Sequence, residues 1–179
     1  MEQITIQESN MTFGAYSQED VFQIEKSKIY KELQDGGSSI KTVEFILLKK
    51  KKQNQNLLFV EAKTSTANYA TPNTSEEKKK KQEEFIQEIT QKWTDSIRIY
   101  CSLILKRIHS SELSEKLSTE EVVTGNFVPI LVVKNGYKAS LIPLRDLLLK
   151  KLEPARKIWN IQNILVLNEE QAREKHLLT

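Results

Sequence analysis

The sequence predicts an α/β domain, a small mixed central β-sheet flanked by helices, and three observations carry that prediction. Residues 42–48 and 57–63 are rich in β-branched, aromatic and leucine residues and are separated by a polar Lys/Gln/Asn stretch, the pattern of a strand pair. Phe85, Ile86, Ile89, Trp93, Ile97, Tyr100, Cys101, Ile104 and Ile108 then recur at three- and four-residue spacing, which predicts a long amphipathic helix. After it, residues 127–133 form a nearly continuous apolar run that suits a strand covered on both faces.

Taken in order, two short candidate segments, 4–6 and 11–13, precede Ser17-Gln18-Glu19-Asp20, which reads as a helix start with a small polar cap and acids in the first turn. Val21, Ile24, Ile29, Tyr30 and Leu33 fall roughly on one helical face, and Gly36-Gly37 ends that helix. Residues 64–75, rich in Ser, Thr, Asn and Ala and containing Pro72, read as a loop. The polar segment 110–124 links the long helix to the 127–133 strand, where Pro129 requires a place near the strand's start or at a sheet edge. Residues 140–152 read as a helix with Pro143 in its first turn, and 164–167 as a last short strand.

At 179 residues with 39% hydrophobic content the chain has the material for one substantial core, so one domain over 1–179 is expected. The single cysteine, Cys101, excludes an internal disulfide framework and suits a reducing cytoplasm. No basic region followed by an apolar run opens the chain, and no stretch approaches the roughly 20 apolar residues of a membrane span. The expectation is therefore a cytoplasmic protein without a membrane partner. A net charge of +3 implies nothing about nucleic acid by itself, but the lysines are clustered, at 49–52 and 78–81. Each run reads either as phosphate contacts beside a site or as a solvated turn and a solvated first helical turn.

Alternation along residues 57–63 puts Leu57, Phe59, Glu61 and Lys63 on one face and Leu58, Val60 and Ala62 on the other. Both faces begin apolar, so this is an interior strand whose end carries two ionisable groups on one face, where burial without a partner or ligand is costly. A symmetric hairpin turning between Lys52 and Gln53 pairs Ile46 with Phe59 and Leu48 with Leu57, and sets Glu44 opposite Glu61. Facing carboxylates repel unless a proton, a cationic side chain or a metal ion lies between them. Mg²⁺ suits such a place, since it prefers one or two carboxylates together with water and phosphate oxygens. A register slipped by two residues would instead set Lys63 opposite Glu44 as a cross-strand ion pair that needs no metal.

The order of an N-terminal helix, Val43-Glu44, then Phe59-Val60-Glu61-Ala62-Lys63, a long helix and a further strand resembles the PD-(D/E)XK nuclease superfamily, the restriction-endonuclease-like fold. The resemblance covers roughly the first two-thirds of the chain, and implies a nuclease-like core at about 17–134 with a C-terminal helix-strand extension. It implies a Mg²⁺-dependent (or Mn²⁺-dependent) endonuclease acting on nucleic acid, with DNA as the substrate and a homodimer as one form it takes. Glu44 would be the first acid, Glu61 the second and Lys63 the lysine of the triplet, with Glu44 and Glu61 as metal ligands. Glu25 is the candidate for an acid that joins the site from the first helix. Where the superfamily often has proline and aspartate, this chain has Val43 and Glu44. The rival expectation is a non-catalytic nucleic-acid-binding or protein-interaction domain with the same fold.

Other residues point elsewhere. His109 and His176 have no second His or Cys at metal-ligand spacing, which argues against zinc. Cys101 lies in the apolar stripe of the long helix and reads as a core thiol; Trp93, Tyr100 and Trp159 read as core or interface residues. Among five glycines there is no phosphate-cradling loop pattern, so nucleotide hydrolysis is not indicated.

Overall fold

A computed structural model describes residues 2–37, 39–51, 54–66, 69 and 75–179. Its centre is a five-stranded mixed sheet in the order β3 (Val21–Phe22), β4 (Phe45–Lys51), β5 (Asn54–Lys63), β6 (Asn126–Val133), β7 (Leu165–Asn168). The β3–β4 and β4–β5 pairs are antiparallel, whereas β5–β6 and β6–β7 are parallel. The two parallel steps need crossovers, and helices supply them: α2 (Glu76–Ile104) joins β5 to β6, and α4 (Lys138–Lys151) with α5 (Glu153–Trp159) joins β6 to β7. The chain after 134 therefore belongs to the same sheet as the strands before it.

Both sheet faces are covered, and side-chain alternation divides the core in two. Phe22, Ile46, Leu48, Leu57, Phe59, Leu131, Val133 and Val166 face the side packed by α2 and α4, with Trp93, Ile97, Tyr100 and Leu144. Val21, Phe45, Leu47, Leu58, Val60, Ile130, Val132 and Leu167 face the other side. That second face is closed by a hairpin of β1 (Gln3–Glu8) and β2 (Met11–Ser17), together with α6 (Glu169–Glu174) and the C-terminal residues Leu177 and Leu178. Phe13 of the hairpin meets Phe45 edge-on at 5.3 Å. The hairpin needs glycine at position 14, where φ is +118° and a Cβ would stand 2.8 Å from the Ile4 carbonyl oxygen.

The observed register of β4 and β5 pairs Ile46 with Phe59 and Leu48 with Leu57, as the symmetric hairpin requires. The slipped register is not adopted. The expected turn at Lys52 and Gln53 lies outside the described residues, as does most of the 64–75 loop. Pro129 sits in β6 just before β7 joins at Ile130, so one side of the strand has no neighbour there and a missing N–H is tolerated.

The long helix begins earlier than its apolar stripe. Ser75 caps α2 by accepting from the Lys78 amide, and Glu76 and Glu77 lie in the first turn, so the polar residues up to 84 are carried as a solvated extension. The segment 110–124 is more ordered than a plain connection, with a 3₁₀ turn at Glu115–Ser118 and the short α3 at Glu120–Val123.

The expected helix from Val21 to Leu33 is corrected. Val21 and Phe22 pair with Leu47 and Ile46 at the sheet edge, a 3₁₀ turn follows at Ile24–Lys26, and only Lys28–Asp35 (α1) is α-helical, capped by Ser27. A helix would set the neighbours Val21 and Phe22 on adjoining parts of one side, about 100° apart. An edge strand buries both, one in each half of the core. Ser17-Asp20 likewise forms a 3₁₀ turn, Gln18–Asp20, with no side-chain cap bond.

Candidate functional site

The site forms where β4 begins and β5 ends. Glu61 lies on the α2-facing side of β5, opposite Leu131 of β6, and is fully buried. Glu44 directly precedes β4; the ladder pairs Phe45 with Val60, and the Glu44 amide donates to the Val60 carbonyl at 3.1 Å. The strand register thus brings the two acids side by side on one face. Glu25 comes from the 3₁₀ turn rather than from a helix, and hydrogen-bonds to Glu44. All four expected site residues, Glu25, Glu44, Glu61 and Lys63, fall in one connected charged cluster.

Three further side chains complete it. Lys92 of α2 places its ammonium 2.9 Å from Glu61 Oε1 and donates to Oε2 at 3.1 Å, and it lies 3.7 Å from Glu25. Lys63 is 3.3 Å from Glu61 Oε1 and donates to Glu88 of α2 at 2.7 Å. Glu8, at the end of β1, contributes a carboxylate oxygen that lies with those of Glu25 and Glu44 within 4.8 Å of one another. The Lys26 ammonium pairs with Glu8 from outside.

Burial and crowding set the charge states. Burial, reinforced by the hydrogen bond that the protonated Glu44 donates to Glu25 and by the charges of Glu61 and Glu25, pushes the Glu44 carboxyl up to about 9 against a partial pull from Lys92. Glu44 therefore holds a proton at neutral pH. Burial also raises Glu61, while Lys92 and Lys63 act in the opposite direction. For Lys92, burial works to lower the ammonium, and the carboxylate of Glu61 outweighs it and holds Lys92 above the usual range. Lys63 follows the same pattern, with its hydrogen bond to Glu88 opposing burial.

These donors suit a hard divalent cation. Glu8, Glu25 and Glu44 offer oxygen ligands only, and burial together with the neighbouring acids raises Glu44, an effect that Mg²⁺ or Mn²⁺ would oppose. Glu61 is differently placed, because its negative charge already faces two ammonium groups. Lys92 and Lys63 approach its buried Oε1 as ion contacts, and this oxygen has no hydrogen-bond partner among the described residues.

Lys92, Glu88 and Glu8 were not singled out from the sequence. Lys92 had a signal: it follows Ile89 by three and adjoins Trp93, on the flank of the stripe that α2 buries, and Glu88 precedes it by one turn. Glu8 had none, since only the packing of the hairpin against the sheet brings it to Glu25.

The lysine runs are placed unequally. Lys49 lies five residues along β4 from Glu44, about 17 Å at strand rise, so the 49–52 run is at the far end of the sheet and not beside the acids. The 78–81 run is on the first turns of α2, where Lys79, Lys80 and Lys81 pair with Glu76, Glu84 and Glu77. Cys101 packs against the core and burial pushes its thiol up to about 11, which removes it as a nucleophile at neutral pH.

Set against known proteins, the chain matches no family model, no curated protein and no solved structure. Among the described residues, no helix is long and apolar enough to cross a membrane.

Proposed function

We propose that this protein is a divalent-metal-dependent nuclease of the PD-(D/E)XK kind, with a restriction-endonuclease-like core, hydrolysing phosphodiester bonds in DNA. One observation carries the reading: at the end of a central strand pair, carboxylate oxygens of Glu8, Glu25 and Glu44 lie within 4.8 Å of one another, beside the fully buried Glu61. Oxygen donors gathered this closely, next to a fully buried carboxylate, suit a bound cation.

In this reading Glu44 and Glu61 hold the metal, with Glu25 beside them. Mg²⁺ or Mn²⁺, when bound, supplies Lewis acidity toward a phosphate oxygen and the attacking water. Lys63, still partly exposed at 26%, orients that water or steadies the charge that grows on the phosphate. Lysines of the 78–81 run, about 10 Å or more along α2 from Glu88, are the nearer source of backbone contacts to nucleic acid.

A second reading, a non-catalytic nucleic-acid-binding or protein-interaction domain, is favoured by the direct pairing of Glu61 with Lys92, which neutralises both without a metal. Cleavage separates the two. Single- and double-stranded DNA and RNA are incubated with wild type, Glu44→Ala and Glu61→Gln in Mg²⁺, Mn²⁺ or EDTA. The nuclease reading expects metal-dependent product from DNA with wild type only. Absence of product from every substrate, or equal product from the variants, leaves the binding domain.

A further inference from the structure

Lys92 stands where the fields of the acids converge. Its ammonium contacts both oxygens of Glu61 and lies 3.7 Å from Glu25. An ammonium has three donors and no lone pair, so it can neutralise carboxylates but cannot share a metal with them as a ligand. A divalent ion bound through the same oxygens would meet a positive charge already seated at close range. The two cations compete for one set of acids.

We propose that Lys92 is the resident counter-ion of this cluster in the metal-free protein, and that metal binding and the Lys92–Glu61 ion pair exclude each other; the proposal rests on the reading of the cluster as a divalent-cation site.

The surroundings supply the exit. Glu88 lies one turn toward the N-terminus of α2, in the orientation that favours a Glu-to-Lys pair four residues apart, and its side chain is 34% exposed. At present Glu88 accepts from Lys63 at 2.7 Å. A Lys92 that leaves Glu61 moves out along its own helix to Glu88 and displaces Lys63. Metal loading then does two things at once, vacating Glu61 and freeing the triplet lysine toward substrate. The long flexible stem of lysine allows this swing without moving α2, whose anchors Trp93, Ile97 and Tyr100 are fully buried.

Calorimetric titration of Mn²⁺ into wild type, Lys92→Met and Lys92→Arg tests the competition, with thermal melts of each protein with and without Mn²⁺. The expected result is at least about tenfold tighter Mn²⁺ binding by Lys92→Met. Its melting temperature should fall below wild type without metal and recover with it, and Lys92→Arg should bind as wild type does. Binding by Lys92→Met that is unchanged, weaker or absent overturns the proposal. A second measurement on wild type alone covers the case of a variant that does not fold: acetylation of Lys92 by acetic anhydride, read by mass spectrometry. Labelling several-fold faster with Mn²⁺ supports displacement, and an unchanged or slower rate overturns it. A wild type that shows this metal response yet cuts no nucleic acid refutes the nuclease reading and leaves the counter-ion role intact.

Discussion

The two ends of the β4–β5 pair carry clusters of like charge with opposite fates. At one end Glu44 and Glu61 are drawn into the core, one protonated by burial and by the acids around it, the other held by Lys92 and Lys63. At the other end Lys49 is only partly buried and Lys50 is exposed. Burial and the nearby charge of Lys175 lower the Lys49 ammonium, which donates to the Lys175 carbonyl at 2.6 Å. Among the described residues no carboxylate pairs with Lys49 or Lys50. Water can screen the lysine end, and cannot reach Glu61. The contrast teaches that a charge cluster becomes a site by being desolvated, not by its composition.

The largest effect expected of this comparison is on stability at the acid end. Glu61→Ala leaves Lys92 buried without its main partner and should cost roughly 3–5 kcal/mol in denaturant unfolding. Pairing Glu61→Leu with Lys92→Met should return most of that loss, because both charges then go together. A double variant as unstable as the sum of the singles would show that Glu61 and Lys92 do not act as one pair.

Lys63→Met sharpens the difference between stability and catalysis. Its partner Glu88 is partly exposed, so unfolding should shift by about 1 kcal/mol or less, while the cleavage rate should fall about 100-fold if Lys63 acts on the transition state. A stability loss as large as that of Glu61→Ala would instead make Lys63 a structural residue.

Glu44→Gln should stabilise the protein, with a pH dependence of definite sign. The carboxyl ordinarily ionises near 4.5 and in the fold near 9. Between those values the unfolded chain loses a proton that the folded chain keeps, so wild-type stability declines as pH rises through this window. The advantage of Gln should therefore be small near pH 4.5 and grow steadily toward pH 8, read from melts across that range. A gain that shrinks with rising pH would contradict the protonated state of Glu44.

The smallest effect belongs to the lysine end. Lys49→Gln and Lys50→Gln should each change stability by no more than about 0.5 kcal/mol and leave the cleavage rate unaltered. If either lowers the rate as Lys63→Met does, the two ends of the sheet are not functionally distinct.

Much of this arrangement was legible in the sequence because it rests on period-two alternation. The symmetric register, which matches apolar with apolar residues across β4 and β5, carried Glu44 to Glu61, and the strand pairing decides for it over the register slipped by two. The first helix was misread because Val21, Ile24 and Ile29 satisfy helical spacing, while the neighbouring Phe22 declares an edge strand only once Ile46 and Leu47 are there to pair with it. Lys92 was legible in hindsight as a cation on the buried flank of α2. Glu8 was not, because its place depends on contacts between segments far apart in sequence, and the same holds for the hairpin that covers the second face of the sheet.

The central claim, that the acid end binds a divalent cation through its carboxylates, is tested most directly by calorimetric titration of Mn²⁺ into wild type and Glu44→Gln at pH 7.5. Saturable binding by wild type that is lost or weakened at least about tenfold in the variant is the predicted result. Equal binding by both proteins, or none by either, would contradict it.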